Sequence, residues 1–245
     1  MVTVREIAEP LADMCVPVPY RGHGICVRCH TRPRPGFDLC WSCQTVERRL
    51  TAPCSVLVPV SLYQIGSQLH QALRYYKDGR CPARAARFSR DVAAVLARFL
   101  ALHGECITAA GHGPWDVITS VPSSIGRPGE HPLVRALRHV PAVFEQYEPL
   151  LAQGDEPVNH IRPADRAYRV TAAVGGRRVL LVDDTLTSGA RAQSAASALN
   201  VAGAHVVAIV PVGRVVDRSW AHLTDWWNDR SRMPFSFETC CLDAF

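Results

Sequence analysis

Apolar residues recur at helical spacing over 85–103, where Phe88, Val92, Val95, Leu96, Phe99 and Leu102 share one face, and the pattern predicts an amphipathic helix there. Downstream the pattern changes to short unbroken apolar runs. Residues 115–122 (WDVITSVP) are halted by a proline and read as a strand and its loop. Residues 177–184 (RRVLLVDD) and 205–213 (HVVAIVPVG) read as two further strands, the first continuous enough to be buried on both faces. Helical spacing returns over 131–140, through Leu133, Leu137 and Val140, and over 189–201, through Ala192, Ala195, Ala196 and Leu199, where Gly203 can end the helix. Strand, helix, strand in this order predicts an α/β fold with a parallel sheet flanked by helices. Residues 151–172 are polar and irregular and read as a long loop or hairpin. The first 58 residues lack this periodicity and are rich in Cys, Pro, Gly and Arg, so the chain divides into a small module, 1–58, and an α/β domain, 59–245.

Charge changes this picture little. There are 27 basic and 22 acidic residues, a net charge of +5. That balance suits a phosphate-rich ligand but is too small to establish nucleic-acid binding. Every basic residue except Lys77 is arginine, which reads as coding bias more than as design. Two stretches without formal charge, 51–73 and 192–213, contain proline or glycine and several polar residues, so they read as buried strand and helix and no membrane insertion is expected. Arg5, Glu6 and Glu9 interrupt any early apolar core of a signal peptide. Ten cysteines without such a signal point to a reducing, cytoplasmic setting and to metal ligation before disulfides.

The cysteines carry the strongest spacing signal. CVRC (Cys26, Cys29) and CWSC (Cys40, Cys43) are separated by ten residues, and two such knuckles supply the four thiolates of a tetrahedral structural Zn²⁺ site, a zinc ribbon. A redox pair or free buried thiols would not require two matched units. Cys15 and Cys54 lie outside the knuckles and are expected to be buried as small apolar residues, the alternative being a second site with His30 or with the vicinal Cys240 and Cys241. Such a ribbon can bind nucleic acid or a partner, or can staple a segment too small to fold unaided.

The second signal is VLLVDDTLTSGAR, residues 179–191. It joins the C-terminal end of a buried strand to a helix N-terminus, where open α/β sheets bind ligands. Thr187, Ser188, Gly189 and Ala190 offer consecutive N–H groups and two hydroxyls to a phosphate. Asp183 and Asp184, just before them, can accept hydrogen bonds from a sugar diol. A ribose 5-phosphate fits the combination.

This segment resembles the phosphoribosyl pyrophosphate (PRPP) signature of type I phosphoribosyltransferases, and a cysteine ribbon ahead of it is similar to the ComF family, phosphoribosyltransferase-like proteins associated with DNA uptake in natural competence. YYKDGR, with its lysine and glycine before a long helix, and SVPSS are looser matches. The resemblance implies a type I phosphoribosyltransferase-like sheet behind the ribbon and displacement of pyrophosphate from ribose C1 by a nitrogen nucleophile. Asp183 and Asp184 would be the catalytic pair, and Thr185, Thr187, Ser188, Gly189, Ala190 and Arg191 would hold the 5-phosphate. Val121, Pro122, Ser123 and Ser124 would cradle pyrophosphate, and Mg²⁺ would accompany PRPP. The sequence departs from the family at Arg191, often threonine there, and at GRPGEHP, where Arg127, Gly129 and His131 replace a longer motif. Arg162, Arg166 and Arg169 are candidate pyrophosphate contacts. A phosphatase loop of the haloacid-dehalogenase kind needs its two aspartates on alternate positions, and here they are adjacent. A second reading keeps PRPP binding without turnover and assigns the ribbon, with Arg21, Arg28, Arg32, Arg34, Arg48, Arg49 and Trp41, to single-stranded DNA or a DNA-uptake partner.

Overall fold

The computed structural model of the protein describes residues 3–123, 129–159 and 161–242. Its strands are β1 (Ser61–Tyr63), β2 (Val117–Ser120), β3 (Leu151–Gln153), β4 (Tyr168–Val170), β5 (Arg178–Leu186) and β6 (His205–Val215). Its helices are α1 (Val4–Ala8), α2 (Trp41–Arg49), α3 (Gln68–Tyr75), α4 (Pro82–Ala110), α5 (Pro132–Leu137), α6 (Pro141–Phe144), α7 (Ala190–Val201) and α8 (Ala221–Arg230). Four strands form one parallel sheet in the order β1-β6-β5-β2, while β3 and β4 pair as an antiparallel hairpin. The α/β class and the parallel sheet expected from the apolar runs are present.

The centre of the sheet is apolar on both faces. Val179, Leu180, Leu181 and Val182 of β5 and Ala208, Ile209 and Val210 of β6 have no exposed surface. The path from β5 through α7 to β6 crosses the sheet in one direction, and the path from β1 through α3 and α4 to β2 crosses it in the other. Right-handed crossovers in opposite directions place α7 and α4 on opposite faces. Helix α4 packs on β6 and α5, whereas α7 packs on β5, β6 and β4. Neighbouring strands β2 and β5 therefore hand the chain to opposite faces, and a crevice opens at their C-terminal ends.

Several elements differ from the periodic reading. The helix expected over 85–103 runs from Pro82 to Ala110. By length and composition α4 could cross a membrane, yet its Val92, Val95, Leu96 and Phe99 lie in the core. The helix expected over 131–140 is two, α5 and α6, because Pro141 drives Val140 out of helical backbone (φ −129, ψ 87). Strand β5 extends past both aspartates to Leu186, since β6 stays paired beside it, with Asp183 opposite Pro211, Thr185 opposite Gly213 and Leu186 opposite Arg214. Gly213 allows this close packing: a Cβ there would lie 2.7 Å from Leu73 Cδ1 and 2.8 Å from Tyr63 Cδ1.

The N-terminal segment shares the core of the sheet. Helix α1 packs on α4. Val58 and Val60 donate N–H bonds to Ile209 and Pro211 of β6 at 2.9 and 3.0 Å, so pairing along β6 begins on the N-terminal side of residue 58. Ala8, Cys26, Cys29 and Cys43 belong to the same apolar cluster as β5 and β6.

Candidate functional site

The sheet's own register builds the cleft. Strand β2 ends at Ser120, opposite Val182, so from Asp183 onward β5 has a strand neighbour only on the β6 side. The open side is a cavity of about 450 Å³ lined by Asp183, Asp184, Thr185, Thr187, Gly189 and Arg191 from β5 and the start of α7. Val121, Pro122 and Ser123 after β2 close one wall, and Lys77 and His131 close another. Gln153 of β3 fixes the β2 loop by donating to the Ser123 carbonyl at 2.6 Å. Ser188 lies just outside this lining, and Ala190 is the buried first residue of α7. Ser124 and Arg127 fall outside the described residues.

The two carboxylates sit in different surroundings. Asp184 is buried, and its Oδ2 takes the Tyr76 hydroxyl and, at 2.5 Å, the Lys77 ammonium. Both partners arrive through α3, whose Leu69, Ala72, Leu73 and Tyr76 form one buried stripe, so the next residue, Lys77, emerges at the cleft. Burial pushes the Asp184 pKa up, but the Lys77 charge and the hydrogen bonds of Lys77 and Tyr76 outweigh it and hold the carboxyl below its ordinary value. Asp183 has no such partners and faces the cavity, accepting only the Asp184 N–H at 2.9 Å among its described hydrogen bonds. Burial first, and the Asp184 charge second, raise it well above the ordinary carboxylate range. One carboxylate is thus held ionised while its neighbour resists ionisation, the pattern by which paired acids divide roles.

The loop from β5 into α7 is shaped for an anion. Gly189 caps the helix in left-handed backbone (φ 85), which glycine adopts without strain. The Ala190 N–H is taken by Ser188 Oγ at 3.2 Å. The following N–H groups, at Arg191 and Ala192, have no partner within the helix, and these residues line the cavity. His131 caps α5, its Nδ1 accepting from the Leu133 N–H at 3.3 Å. Arg162, Arg166 and Arg169 are exposed and are not among the described residues lining this cavity; Arg166 lies 3.7 Å from Asp155.

Sequence reasoning placed Asp183, Asp184 and the helix-start loop in one site, but missed Tyr76 and named His131 only within the loose GRPGEHP match. Lys77 entered only through a loose motif. Its signal was nonetheless present: it is the one lysine in a chain that otherwise uses arginine.

The four knuckle cysteines converge. Their Sγ atoms lie within 4.8 Å of one another, and the set can hold a metal ion. The first knuckle turns at His30 (φ 59), whose N–H donates to the Cys26 carbonyl at 3.0 Å. In the second, Cys40 caps α2, which brings Cys43 round one turn later. Arg214 of β6 is buried against the cluster, with Nη2 3.5 Å from Cys29 Sγ and with Nε and Nη1 lacking hydrogen-bond partners. A buried guanidinium requires an anion, and four thiolates around a divalent cation carry two net negative charges, so the donor set fits Zn²⁺.

A second, more apolar cavity of about 700 Å³ lies between the four-cysteine segment, the end of β6 and the segment leading into α8, and it shares Thr187 with the first. Trp41 and Trp220 line it and are part-exposed, and the Arg34 guanidinium stacks 5.2 Å from the centre of the Trp220 ring. The sequence matches no protein-family model and no curated protein.

Proposed function

We propose that the cleft binds PRPP or a related ribose 5-phosphate and that the protein is a phosphoribosyltransferase-like protein of the ComF type. One observation carries this reading: the acidic pair, the β5–α7 loop and the loop after β2 line a single cavity at the open edge of β5. Its volume lies within the range of small-molecule sites. The 5-phosphate takes the N–H groups and hydroxyls of residues 187–192, the ribose hydroxyls take the carboxylates, and pyrophosphate lies toward Val121–Ser123 and Lys77. Mg²⁺ would come with PRPP. A hard cation suits the oxygen donors at Asp183 and Ser123, and it would supply neutralising charge to the pyrophosphate. The chain's own contribution to transfer is to hold the ribose ring and to keep Asp184 ionised near C1, where positive charge develops as pyrophosphate departs.

The test is ligand-induced stabilisation. PRPP with Mg²⁺ should raise Tm, because it binds the folded state selectively. Asp184→Asn and Lys77→Met should each cut the shift. A panel of bases then reports turnover through pyrophosphate release. Absence of any Tm shift with both PRPP and ribose 5-phosphate would remove the assignment.

The second cavity favours a companion reading: non-catalytic PRPP binding with a single-stranded nucleic acid held against the ribbon. Trp41 is about half exposed (51%) instead of packed beneath the cysteines, and Arg32 and Arg34 line the same groove. PRPP stabilisation without pyrophosphate release, together with salt-sensitive DNA binding, would select this version.

A further inference from the structure

One cluster of chemistry-bearing side chains belongs neither to the clefts nor to the ribbon. Helix α4 carries His103 and Cys106 three residues apart, hence on one face. The C-terminal segment brings Cys240 against them, and one ligand atom from each of the three lies within 4.8 Å of the other two. His103 and Cys240 are buried, while Cys106 is part-exposed. His103 Nε2 lies 2.7 Å from the Phe237 carbonyl oxygen. A carbonyl only accepts, so Nε2 carries the proton and Nδ1 is left with a free lone pair. That arrangement, one ring nitrogen donating to a carbonyl and the other available, is how metal-bound histidines are held.

We propose that His103, Cys106 and Cys240 bind a second zinc ion, which fastens the C-terminal segment to α4. Zn–S bonds of about 2.3 Å place two sulfurs of a tetrahedral site roughly 3.8 Å apart, within a small side-chain adjustment of the spacing found here. Binding leaves both sulfurs as thiolates, with their two protons released to solvent. The part-exposed side of Cys106 admits a water as fourth ligand. The segment has reason to need fastening: residues 231–242 contain no helix or strand and are held by apolar contacts of Phe235, Phe237 and Cys241 and by the pair Arg98–Glu238 at 2.9 Å.

The experiment counts zinc in the full chain, purified under reducing conditions after growth with zinc supplied. Wild type should hold two equivalents, Cys106→Ser and Cys240→Ser one fewer each, and Cys81→Ser, outside both clusters, two. Loss of Cys240 could loosen the tail, so the decisive variant is Cys106→Ser, checked for an unchanged far-UV spectrum. Cobalt titrated into zinc-depleted wild type should give sulfur-to-cobalt absorption up to a second equivalent, and Cys106→Ser should stop at the first. A single equivalent in wild type that neither added zinc nor cobalt increases would overturn the proposal. So would two retained equivalents in Cys106→Ser, or a Cys106–Cys240 disulfide mapped in the freshly isolated, metal-poor chain.

Discussion

The two adjacent carboxylates line one cavity, yet their different surroundings give them different proton affinities. Asp184 meets Lys77 and Tyr76; Asp183 meets the cleft and the charge of its neighbour. The two therefore act on stability with opposite sign. Asp184 has a lowered folded pKa, so its contribution is present above the ordinary carboxylate value of about 3.9 and is lost as pH falls through the folded value. Asp183 has a raised folded pKa, so stability associated with it is full below about 3.9 and is lost as pH rises toward and through that raised value. Asp183→Asn should match wild type at the acid end and become progressively more stable than wild type as pH rises. Asp184→Asn should be less stable throughout the neutral range, by about 1.5–3 kcal/mol for a hydrogen bond to a buried charge. Denaturant unfolding of both variants between pH 4 and 9 reads this directly, and a pH-independent difference for Asp183→Asn would show that its carboxyl is not held neutral. The pair was legible in the sequence as an anomaly. Its partners were not, because Tyr76 and Lys77 are over a hundred residues away and are delivered by the packing of α3 on α4 and, through Leu73, against Gly213 of β6.

At the scale of elements, β6 is the bridge. Its Arg214 lies opposite Leu186, where β5 gives way to the anion loop, and its guanidinium reaches the cysteine cluster. Replacing this buried charge by glutamine should leave the thiolates' negative charge uncompensated. If the four-cysteine cluster, which can hold a metal ion, is loaded with zinc, that zinc should then be lost to a chelator about 10- to 100-fold more readily, the usual effect of removing a group that supports metal ligands. Competition with a colorimetric chelator measures it, and unchanged zinc affinity would detach Arg214 from the metal centre. Elements that the sequence declared are those whose signal is local: the apolar stripe of α4, the unbroken runs of β2, β5 and β6, and the two CxxC knuckles. Strand β1 has three residues and exists because β6 pairs with it. Helices α1, α2 and α8 are short or begin in the irregular ribbon, so no period of useful length marks them. The His103–Cys106–Cys240 group had half a signature, since His103 and Cys106 show helical spacing while Cys240 comes from the far end of the chain.

At the scale of the molecule, the division at residue 58 separates compositions, but the core crosses it. The four-cysteine segment packs on β6 through Arg214, and its outer side forms one wall of the groove whose floor reaches Thr187 of the β5–α7 loop. Of the arginines that suggested a nucleic-acid surface, Arg28 is buried and paired with Glu47, so it is unavailable, while Arg32 and Arg34 line the groove with Trp41 and Trp220. If a single strand lies there, each phosphate it places on an arginine releases counterions, and the logarithm of affinity should fall with that of salt by about 0.7 per contact. Arg32→Gln and Arg34→Gln should each reduce the slope by about that amount. Trp41→Ala should weaken binding by about 1–3 kcal/mol at every salt concentration without changing the slope, because stacking displaces no counterion. The shared wall at Thr187 adds a further expectation that separate modules would not give: saturating PRPP should shift the DNA titration, whereas Asp184→Asn, deeper in the first cavity, should leave DNA affinity in the absence of PRPP unchanged. Titration of a fluorescent oligonucleotide across salt concentrations, with and without PRPP, tests both parts. A slope unaltered by either arginine substitution would place the DNA surface elsewhere, and DNA binding indifferent to PRPP would show that the two cavities act independently despite their common wall.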